Sequence, residues 1–216
     1  MTKIVFATGN SGKLREASEI LGGAFELVTP VQEGILEDIP ETGITLRANS
    51  LQKAQYIFDH TGGANCFADD TGLEVDILGG APGVWSARYA GPSKSNTANM
   101  AKLLKDMELR ETEASFAREF GIDTVNATRR ARFRTVVTLI FNGEKHFFEG
   151  VMEGRIARSR SGEGGFGYDP VFIADEYPDR SVAELDEETK NSISHRGKAL
   201  RAMAEFLKSS APQPEN

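Results

Sequence analysis

Two adjacent carboxylates, Asp69 and Asp70, are the side chains with the clearest chemical potential in this sequence. They follow the apolar run Cys66-Phe67-Ala68, which predicts a buried β-strand, and we expect both acids at the end of that strand, before Thr71-Gly72. Two like charges side by side are costly unless a cation neutralises them or one proton is shared. Mg²⁺ bridges one or two carboxylates to substrate phosphates, and Glu41 is a candidate partner in the turn at 40–43. The pair therefore predicts a divalent-metal site.

A short loop near the start of the chain, Thr8-Gly9-Asn10-Ser11-Gly12-Lys13, separates a predicted strand (Lys3 to Thr8) from a predicted helix (Lys13 to Leu21). It is not a Walker P-loop, because Ala7 stands where that motif needs Gly and Leu14 where it needs Ser or Thr. Free backbone N–H groups at a helix start, two glycines and a lysine can still hold phosphate oxygens. An ordinary turn with a surface lysine is the alternative.

A second glycine-rich loop has the sequence Gly162-Glu163-Gly164-Gly165-Phe166-Gly167, which matches the dinucleotide fingerprint G-x-G-x-x-G. The next residues, Tyr168-Asp169-Pro170, cannot open a helix, so we reject a Rossmann site. We expect a flexible loop that approaches a ligand closely, with Phe166 and Tyr168 available to stack on a base. A plain hairpin tip is the alternative.

The segment Ser194-His195-Arg196-Gly197 opens the last predicted helix, which runs from Ser194 to about Lys208. Cations at a helix N-terminus oppose the helix dipole. Their placement suggests that His195 and Arg196 have a role beyond helix stability, and a tolerated surface pair is the alternative.

The remaining elements follow from hydrophobic periodicity and turn residues. A helix is predicted over Leu46 to Phe58, with Asn49 and Lys53 together on one face. Another is predicted over Thr97 to Met107, whereas Glu108 to Arg129 is polar and ambiguous. Alternation from Arg130 to Phe141, then Asn142-Gly143 and His146 to Gly150, predicts a hairpin, and the tail at 209–216 is expected to fray.

The composition excludes several classes of protein. The 216 residues are 39% hydrophobic and 26% charged, which excludes disordered, collagen-like and coiled-coil chains. One cysteine allows no internal disulfide and no multi-thiolate metal site, and the absence of a signal-like or membrane-spanning run favours a cytoplasmic protein. The formal charge of −7 argues against nucleic acid as the main partner. The one basic run, Arg129, Arg130, Arg132 and Arg134, alternates as on a solvated or partner-facing strand edge.

Taken together, these segments resemble the inosine triphosphate pyrophosphatase family, also called Ham1-like. The matching blocks stand in family order and span Lys3 to Leu207. They are Thr8-Gly9-Asn10-x-x-Lys13, Ala68-Asp69-Asp70-Thr71-Gly72-Leu73-x-Val75, Gly79-Gly80-Ala81-Pro82-Gly83, Ser86-Ala87-Arg88-Tyr89, Gly164-Gly165-Phe166-Gly167-Tyr168-Asp169-Pro170, and Lys190 with Ser194-His195-Arg196. The segment 108–129 is longer than the family pattern.

The resemblance implies an α/β fold with a long mixed sheet flanked by helices, in two lobes around an active-site cleft. It implies one catalytic domain over residues 1–208, a flexible tail at 209–216, and a homodimer. The implied reaction is hydrolysis of ITP, dITP and XTP to the monophosphate and pyrophosphate with Mg²⁺, which cleanses the nucleotide pool.

The resemblance also implies roles for individual residues. Asp70 is the expected proton acceptor, and Glu41 and Asp70 are the expected metal ligands. The expected substrate contacts are Thr8, Gly9, Asn10, Ser11, Gly12, Lys13, Lys53, Thr71, Phe166, Gly167, Tyr168, Asp169, Lys190, His195 and Arg196, the last two near the base.

Two alternatives stay open at this point. One is a Maf-type nucleotide pyrophosphatase acting on other nucleotides, against which Ser194-His195-Arg196 argues. The other is a catalytically silent nucleotide-binding regulator, which the intact Asp69, Asp70 and Glu41 disfavour.

Overall fold

The fold is an α/β arrangement of a seven-stranded mixed sheet and five α-helices, seen in a computed structural model that describes residues 2–119 and 128–210. The strands are β1 (Thr2–Phe6), β2 (Phe25–Val28), β3 (Cys66–Val75), β4 (Pro82–Gly83), β5 (Arg130–Phe141), β6 (Glu144–Ile156) and β7 (Phe172–Ala174). The helices are α1 (Ser11–Leu21), α2 (Leu46–His60), α3 (Asn96–Glu119), α4 (Glu187–Ile193) and α5 (His195–Ser210). The predicted fold class is confirmed.

The sheet order is β2-β1-β3-β5-β6-β7, with β4 paired to β3. Strand β1 runs parallel to both β2 and β3, whereas β3 with β4 and β6 with β7 are antiparallel. The two-residue turn Asn142-Gly143 joins β5 to β6 with φ of 52° and 82°. Two successive positive φ values are what a tight hairpin turn requires, so the predicted hairpin is confirmed.

The chain divides into two compact units. Of the residues that the structure describes, the first unit holds those up to Asp70, Thr135–Gly150 and those from His195 on, and the second holds those within Thr71–Arg134 and Val151–Ser194.

In the first unit, helices cover both faces of the strands. One cluster joins Ile4 and Phe6 of β1 to Ala17 of α1 and Leu200 of α5, and another joins the intervening Val5 to Ile57 of α2. Successive residues of a strand point to opposite faces, so a strand covered on both sides needs a continuous apolar run. The sequence Ile4-Val5-Phe6 supplies one, and all three side chains are fully buried.

In the second unit, α3 lies on an apolar cluster. Met100, Leu103 and Met107 of α3 pack with Phe133 of β5 and with Phe172. The helix continues beyond the predicted end at Met107 to Glu119, so the first part of the ambiguous segment is helical. Residues 120–127 of that segment lie outside the described part of the chain.

Two expectations need correction or adjustment, and one helix was missed. Asp69 and Asp70 lie inside β3 and not at its end, because Thr71-Gly72 stays extended and the strand continues through the buried Leu73 and Val75. Helix α5 ends at Ser210, two residues beyond the predicted end, and 211–216 lie outside the described residues. Helix α4 was not predicted. Within the described ranges, no helix combines the length and apolar character needed to cross a membrane.

The basic run does not form a sheet edge, since β5 lies between β3 and β6. Its three arginines within β5 instead face carboxylates on neighbouring strands or loops, and Arg129, just before β5, pairs with Glu111 of α3 at 2.8 Å. The pairs are Arg130 with Asp175 at 2.7 Å, Arg132 with Asp76 at 3.0 Å and Arg134 with Glu74 at 3.1 Å. The arginines alternate along β5 because every second side chain of a strand points to the same face, and this face is lined with ion pairs.

The start of α5 lies directly against β6 at Gly150. A Cβ built on Gly150 would overlap the carbonyl oxygen of His195 and lie 2.7 Å from the amide nitrogen of Ala199. Since both neighbours are backbone atoms of a packed helix, they cannot yield without moving the helix. The absent side chain therefore sets the position of the His195-Arg196 segment.

We expect Gly150→Ala to lower the free energy of unfolding by about 1–3 kcal/mol, because the added methyl group overpacks a backbone contact. Gly23→Ala is the matched control, since a Cβ at Gly23 meets nothing within 4 Å. The control should change stability by less than about 0.5 kcal/mol. Urea unfolding of both variants measures the difference, and equal losses would contradict the close approach of α5 to β6.

Candidate active site

The pleat of β3 separates the two adjacent acids. Phe67 and Ala68 pack into the clusters on opposite faces, the first with α1 and α5 and the second with α2. Asp69 and Asp70 continue the same alternation. Asp69 therefore lies against α1 and α5, whereas Asp70 lies against α2, and the hydrogen bonds of the two acids come from different side chains.

Asp69 is a buried counter-ion for two cations. Its side chain is 2% exposed, and it accepts hydrogen bonds from Lys13 Nζ at 2.8 and 3.0 Å and from Arg196 Nε at 3.1 Å. Burial by itself would raise the pKa of Asp69, but Lys13, Arg196 and Lys53 outweigh it and hold the pKa below its usual value. Asp69 thus stays ionised, and its charge is neutralised by Lys13 and Arg196.

Asp70 has the opposite electrostatic character. Burial raises its pKa, and the carboxylates of Glu41 and Asp69 raise it further, although Lys53 and Asn49 oppose the rise. Asn49 Nδ2 donates to Asp70 Oδ2 at 3.1 Å, and Lys53 Nζ lies 3.6 Å from Asp70 Oδ1. A carboxylate whose pKa is raised takes up a proton more readily, which is the property that a general base needs.

Lys53 holds Glu41 close to Asp70, since its ammonium group contacts both carboxylates. Its ammonium group donates to Glu41 Oε1 at 2.5 Å, and its side chain is only 9% exposed. Burial lowers the pKa of Lys53, but Asp69, Asp70 and Glu41 together raise it above its usual value. Asn49 also holds the turn that carries Glu41, because its Oδ1 accepts from the Gly43 amide at 2.7 Å.

The carboxylates of Glu41 and Asp70 form a sparse donor set for a metal ion. Over the described ranges 2–119 and 128–210, no cluster of three or more His, Cys, Asp or Glu side chains is arranged to hold a metal alone. Mg²⁺ is commonly bound through one or two carboxylates, with substrate phosphates and waters supplying the other ligands. Glu41 and Asp70, which both contact Lys53, therefore supply two hard oxygen donors that fit a divalent metal ion.

The loop Thr8–Lys13 forms the N-terminus of α1, but some of its amides are already bonded. The side chain of Asn10 caps the helix and accepts from the amides of Gly12 at 2.9 Å and Lys13 at 3.2 Å. These two N–H groups are not free, contrary to expectation. In the described part of the chain, no hydrogen bond reaches the amides of Gly9 and Ser11, which remain for a ligand.

Arg196 is 8% exposed and is held on two sides. Besides Asp69, it contacts Glu16 of α1, whose Oε2 lies 3.1 Å from Arg196 Nη1. These two carboxylates account for a cation at a helix N-terminus, and Nη2 has no hydrogen-bond partner among the described residues. His195 beside it is half-buried and contacts Thr135 of β5.

The other predicted substrate residues lie in the second unit. Phe166 is 62% exposed, its amide donates to Asp169 Oδ2 at 2.8 Å, and Lys190 Nζ lies 2.6 Å from the same oxygen. Lys190 also lies 4.8 Å from the centre of the Phe166 ring. The buried Asp169 therefore holds an exposed ring and a cation side by side. Gly167 has a φ of 63°, and Thr71 follows Asp70 in β3.

Tyr168 does not stack on a ligand. Its ring is 4% exposed within the apolar cluster under α3, and its hydroxyl donates to the Ser86 carbonyl at 2.9 Å. The prediction of Tyr168 as a stacking residue is wrong, because a tyrosine next to an exposed loop can equally turn inward when its hydroxyl finds a partner.

Sequence reasoning missed Glu16, Thr135 and the part played by Asn49. Asn49 shares a helix face with Lys53, and Glu16 lies three residues after Lys13, so a search for polar partners at helical spacing would have found both. Thr135 carries a weaker signal, a hydroxyl on the otherwise apolar face of β5.

Asp69→Asn tests the buried counter-ion. We expect a loss of about 3 kcal/mol in the free energy of unfolding, because Lys13 and Arg196 would lose their shared anion in a buried place. Asp175→Asn is the matched control, since Asp175 makes an ion pair with Arg130 but is 44% exposed, and it should cost less than about 1 kcal/mol. Urea unfolding at low salt compares the two variants. Similar losses in the free energy of unfolding would show that the buried ion pairs of Asp69 stabilise the fold no more than an exposed pair does.

Comparison with known proteins identifies the family. The sequence model of the Ham1 family matches residues 4–206. The chain is 48% identical to a dITP/XTP pyrophosphatase of Porphyromonas gingivalis, covering 96% of this chain and 98% of the relative. It is 46% identical to a protein of the same name from Desulforamulus reducens, covering 95% of each. The structure is similar to that of a HAM1 protein from Coxiella burnetii, with a TM-score of 0.85, 36% identity, and coverage of 97% and 100%. With its family signature and its fold in agreement, the chain belongs to the Ham1 family.

Proposed function

We propose that this chain hydrolyses the non-canonical purine nucleoside triphosphates dITP, ITP and XTP to the monophosphate and pyrophosphate. The observation that carries the proposal is the pair of lysines around the two acids of β3, with Lys13 on Asp69 and Lys53 between Glu41 and Asp70. Two ammonium groups beside a carboxylate of raised pKa suit attack by water on a polyphosphate. Names of relatives from two genera support the same activity.

In this proposal, Asp70 orients the attacking water and accepts its proton. The raised pKa favours that role, and the hydrogen bond from Asn49 fixes the carboxylate in one orientation. The nucleophile attacks the α-phosphorus, and pyrophosphate leaves. Asp69 does not compete for the proton, because Lys13 and Arg196 keep it ionised.

Lys13 and Lys53 hold the triphosphate. Lys13 is half-exposed at the start of α1, beside the amides of Gly9 and Ser11, for which the described residues supply no acceptor, so phosphate oxygens can reach all three groups at one helix terminus. The hydroxyls of Thr8 and Ser11 lie in the same loop. A charge on the leaving pyrophosphate gains most from these cations in the transition state.

Glu41 and Asp70 would hold Mg²⁺. When bound, the ion neutralises phosphate charge and polarises the phosphorus centre. Lys53 would then keep the two carboxylates close together before the ion and the substrate arrive.

Selection of the base falls to His195 and Arg196. Nη2 of Arg196 is a donor whose direction is fixed by the two carboxylates on Nε and Nη1. Such a donor matches the 6-oxo group of hypoxanthine or xanthine, and opposite the 6-amino group of adenine it would be left unpaired. Phe166 and Lys190 stay predicted substrate contacts, and within the second unit Lys190 Nζ lies 4.8 Å from the centre of the exposed Phe166 ring.

We further propose that the enzyme acts in the cytoplasm, as a homodimer that removes damaged purine nucleotides from the pool. Its substrate is a small molecule, and neither nucleic acid nor a membrane is a partner; the net charge of −7 supports the first exclusion.

The wild-type protein should release pyrophosphate from dITP in the presence of Mg²⁺ at least about tenfold faster, in kcat/KM, than from dATP or dTTP, since one buried donor left unpaired costs about that much. Pyrophosphate is measured with a coupled assay, with EDTA as the control for the metal. A preference for dTTP would indicate a Maf-type enzyme, and no hydrolysis would indicate a silent nucleotide-binding protein.

Asp70→Asn should lower kcat for dITP by about two to four orders of magnitude, because it removes the general base and one negative charge from the metal site. Circular dichroism and urea unfolding should show a folded protein. Glu37→Gln is the matched control, since Glu37 is exposed near the same turn as Glu41 and should keep normal turnover. Near-normal activity of folded Asp70→Asn would remove Asp70 from the mechanism.

A further inference from the structure

A buried hydroxyl contacts the histidine of the proposed base site. Thr135 of β5 is fully buried, and its Oγ1 lies 2.6 Å from Nδ1 of His195, the first residue of α5. This contact does not involve the metal ligands or the phosphate loop described above.

The surroundings of Thr135 make its hydroxyl notable. The same face of β5 carries Val137 and Leu139, both fully buried against α1 and α5. A hydroxyl in such a place costs free energy unless it is hydrogen-bonded, whereas valine has the same shape without that cost. A threonine here is therefore explained by the bonds that its hydroxyl makes.

The contact fixes the orientation of the imidazole ring. A histidine ring has two nitrogens of different character, and a hydrogen bond at one of them sets which tautomer is present and which nitrogen faces the other way. With Nδ1 turned to β5, Nε2 lies on the opposite side of the ring. The backbone of the same residue is fixed by its contact with Gly150, so that both the position and the rotation of the ring are determined.

We infer that Thr135 is a positioning residue for purine selection, which turns the His195 ring so that Nε2 faces the base. The inference rests on the proposed function, since it assigns His195 to the base site of that reaction. The carboxylates of Asp69 and Glu16 orient Arg196, and the hydroxyl of Thr135 contacts the ring of His195. A ring that can flip would present a donor and an acceptor in turn and discriminate less.

Thr135→Val is the direct test, because it removes the hydroxyl and keeps the volume. We expect kcat/KM for dITP to fall about five- to tenfold, as for loss of one neutral hydrogen bond, and the ratio of dITP to dATP to fall by a similar factor. The loss should lie mainly in KM, since the base is held alike in the bound and transition states. Thr135→Ser keeps the hydroxyl and should restore values within about twofold of wild type.

Thr138→Val is the matched control for losing a buried hydroxyl from the same strand. Thr138 is also fully buried, but its Oγ1 lies 2.7 Å from Ser50 of α2, on the opposite face of β5. We expect Thr138→Val to lower stability about as much as Thr135→Val and to leave the ratio of dITP to dATP unchanged. If Thr135→Val does not fold, Thr135→Ala removes the same hydroxyl without retaining apolar volume in its place.

A spectroscopic readout on the ligand-free protein separates this inference from the proposed function. The chain has three histidines, so the ring nitrogens of His195 can be assigned by the signal that His195→Asn lacks. In long-range ¹⁵N–¹H spectra, Thr135→Val should shift Nδ1 of His195 and Thr138→Val should not.

The outcomes are distinct. A shifted Nδ1 with a reduced dITP to dATP ratio supports the inference. An unshifted Nδ1, an unchanged ratio in Thr135→Val, or an equal loss of ratio in Thr138→Val overturns it while dITP turnover by the wild type stands. Failure of the wild type to hydrolyse dITP overturns the proposed function, and this inference with it, whatever the spectra show.

Discussion

The buried carboxylate of Asp69 is the interaction on which the rest of the site depends. It binds Lys13 of α1 and Arg196 of α5 at the same time, so that one anion in β3 fixes the starts of two helices. Removing two cations and a carboxylate from water is costly, and the cost is offset only when all three meet at close range. Glu16 adds a second anion on Arg196. The proposed phosphate loop and the proposed base-reading segment are therefore anchored to one buried charge.

The pleat of β3 gives its two neighbouring acids different chemistry. Asp69 faces cations that keep it ionised, whereas burial and nearby carboxylates raise the pKa of Asp70. The same carboxyl group thus serves as a counter-ion at one position and as a candidate base at the next, because environment decides the pKa. A helical segment would have placed consecutive side chains about 100° apart on one surface, and an extended strand separates them fully.

Close backbone approach is the second constraint on the site. Gly150 lets α5 lie on β6, and Gly43 lets the Glu41 turn lie on α2, where a Cβ would come within 2.8 Å of Asn49 Oδ1. Because the backbones are close, short polar contacts can hold the side chains of the site in place, as the hydroxyl of Thr135 does for the ring of His195. In the second unit, the buried Asp169 does the same for Phe166 and Lys190. Such pre-arranged groups lose little conformational freedom when a ligand binds.

The sequence by itself determined the fold class, the family resemblance and most of the residues proposed for the site, because strand and helix periods, turn residues and short motifs are local properties. The hairpin at Asn142-Gly143 and the helix with Asn49 and Lys53 on one face were predictable in this way. Only the tertiary structure decided which charges meet. It turned Tyr168 into the core and placed the basic run of β5 inside the sheet. Pairing partners such as Asp69 and Arg196 lie 127 residues apart, and strand order and burial, which no local pattern encodes, bring them together.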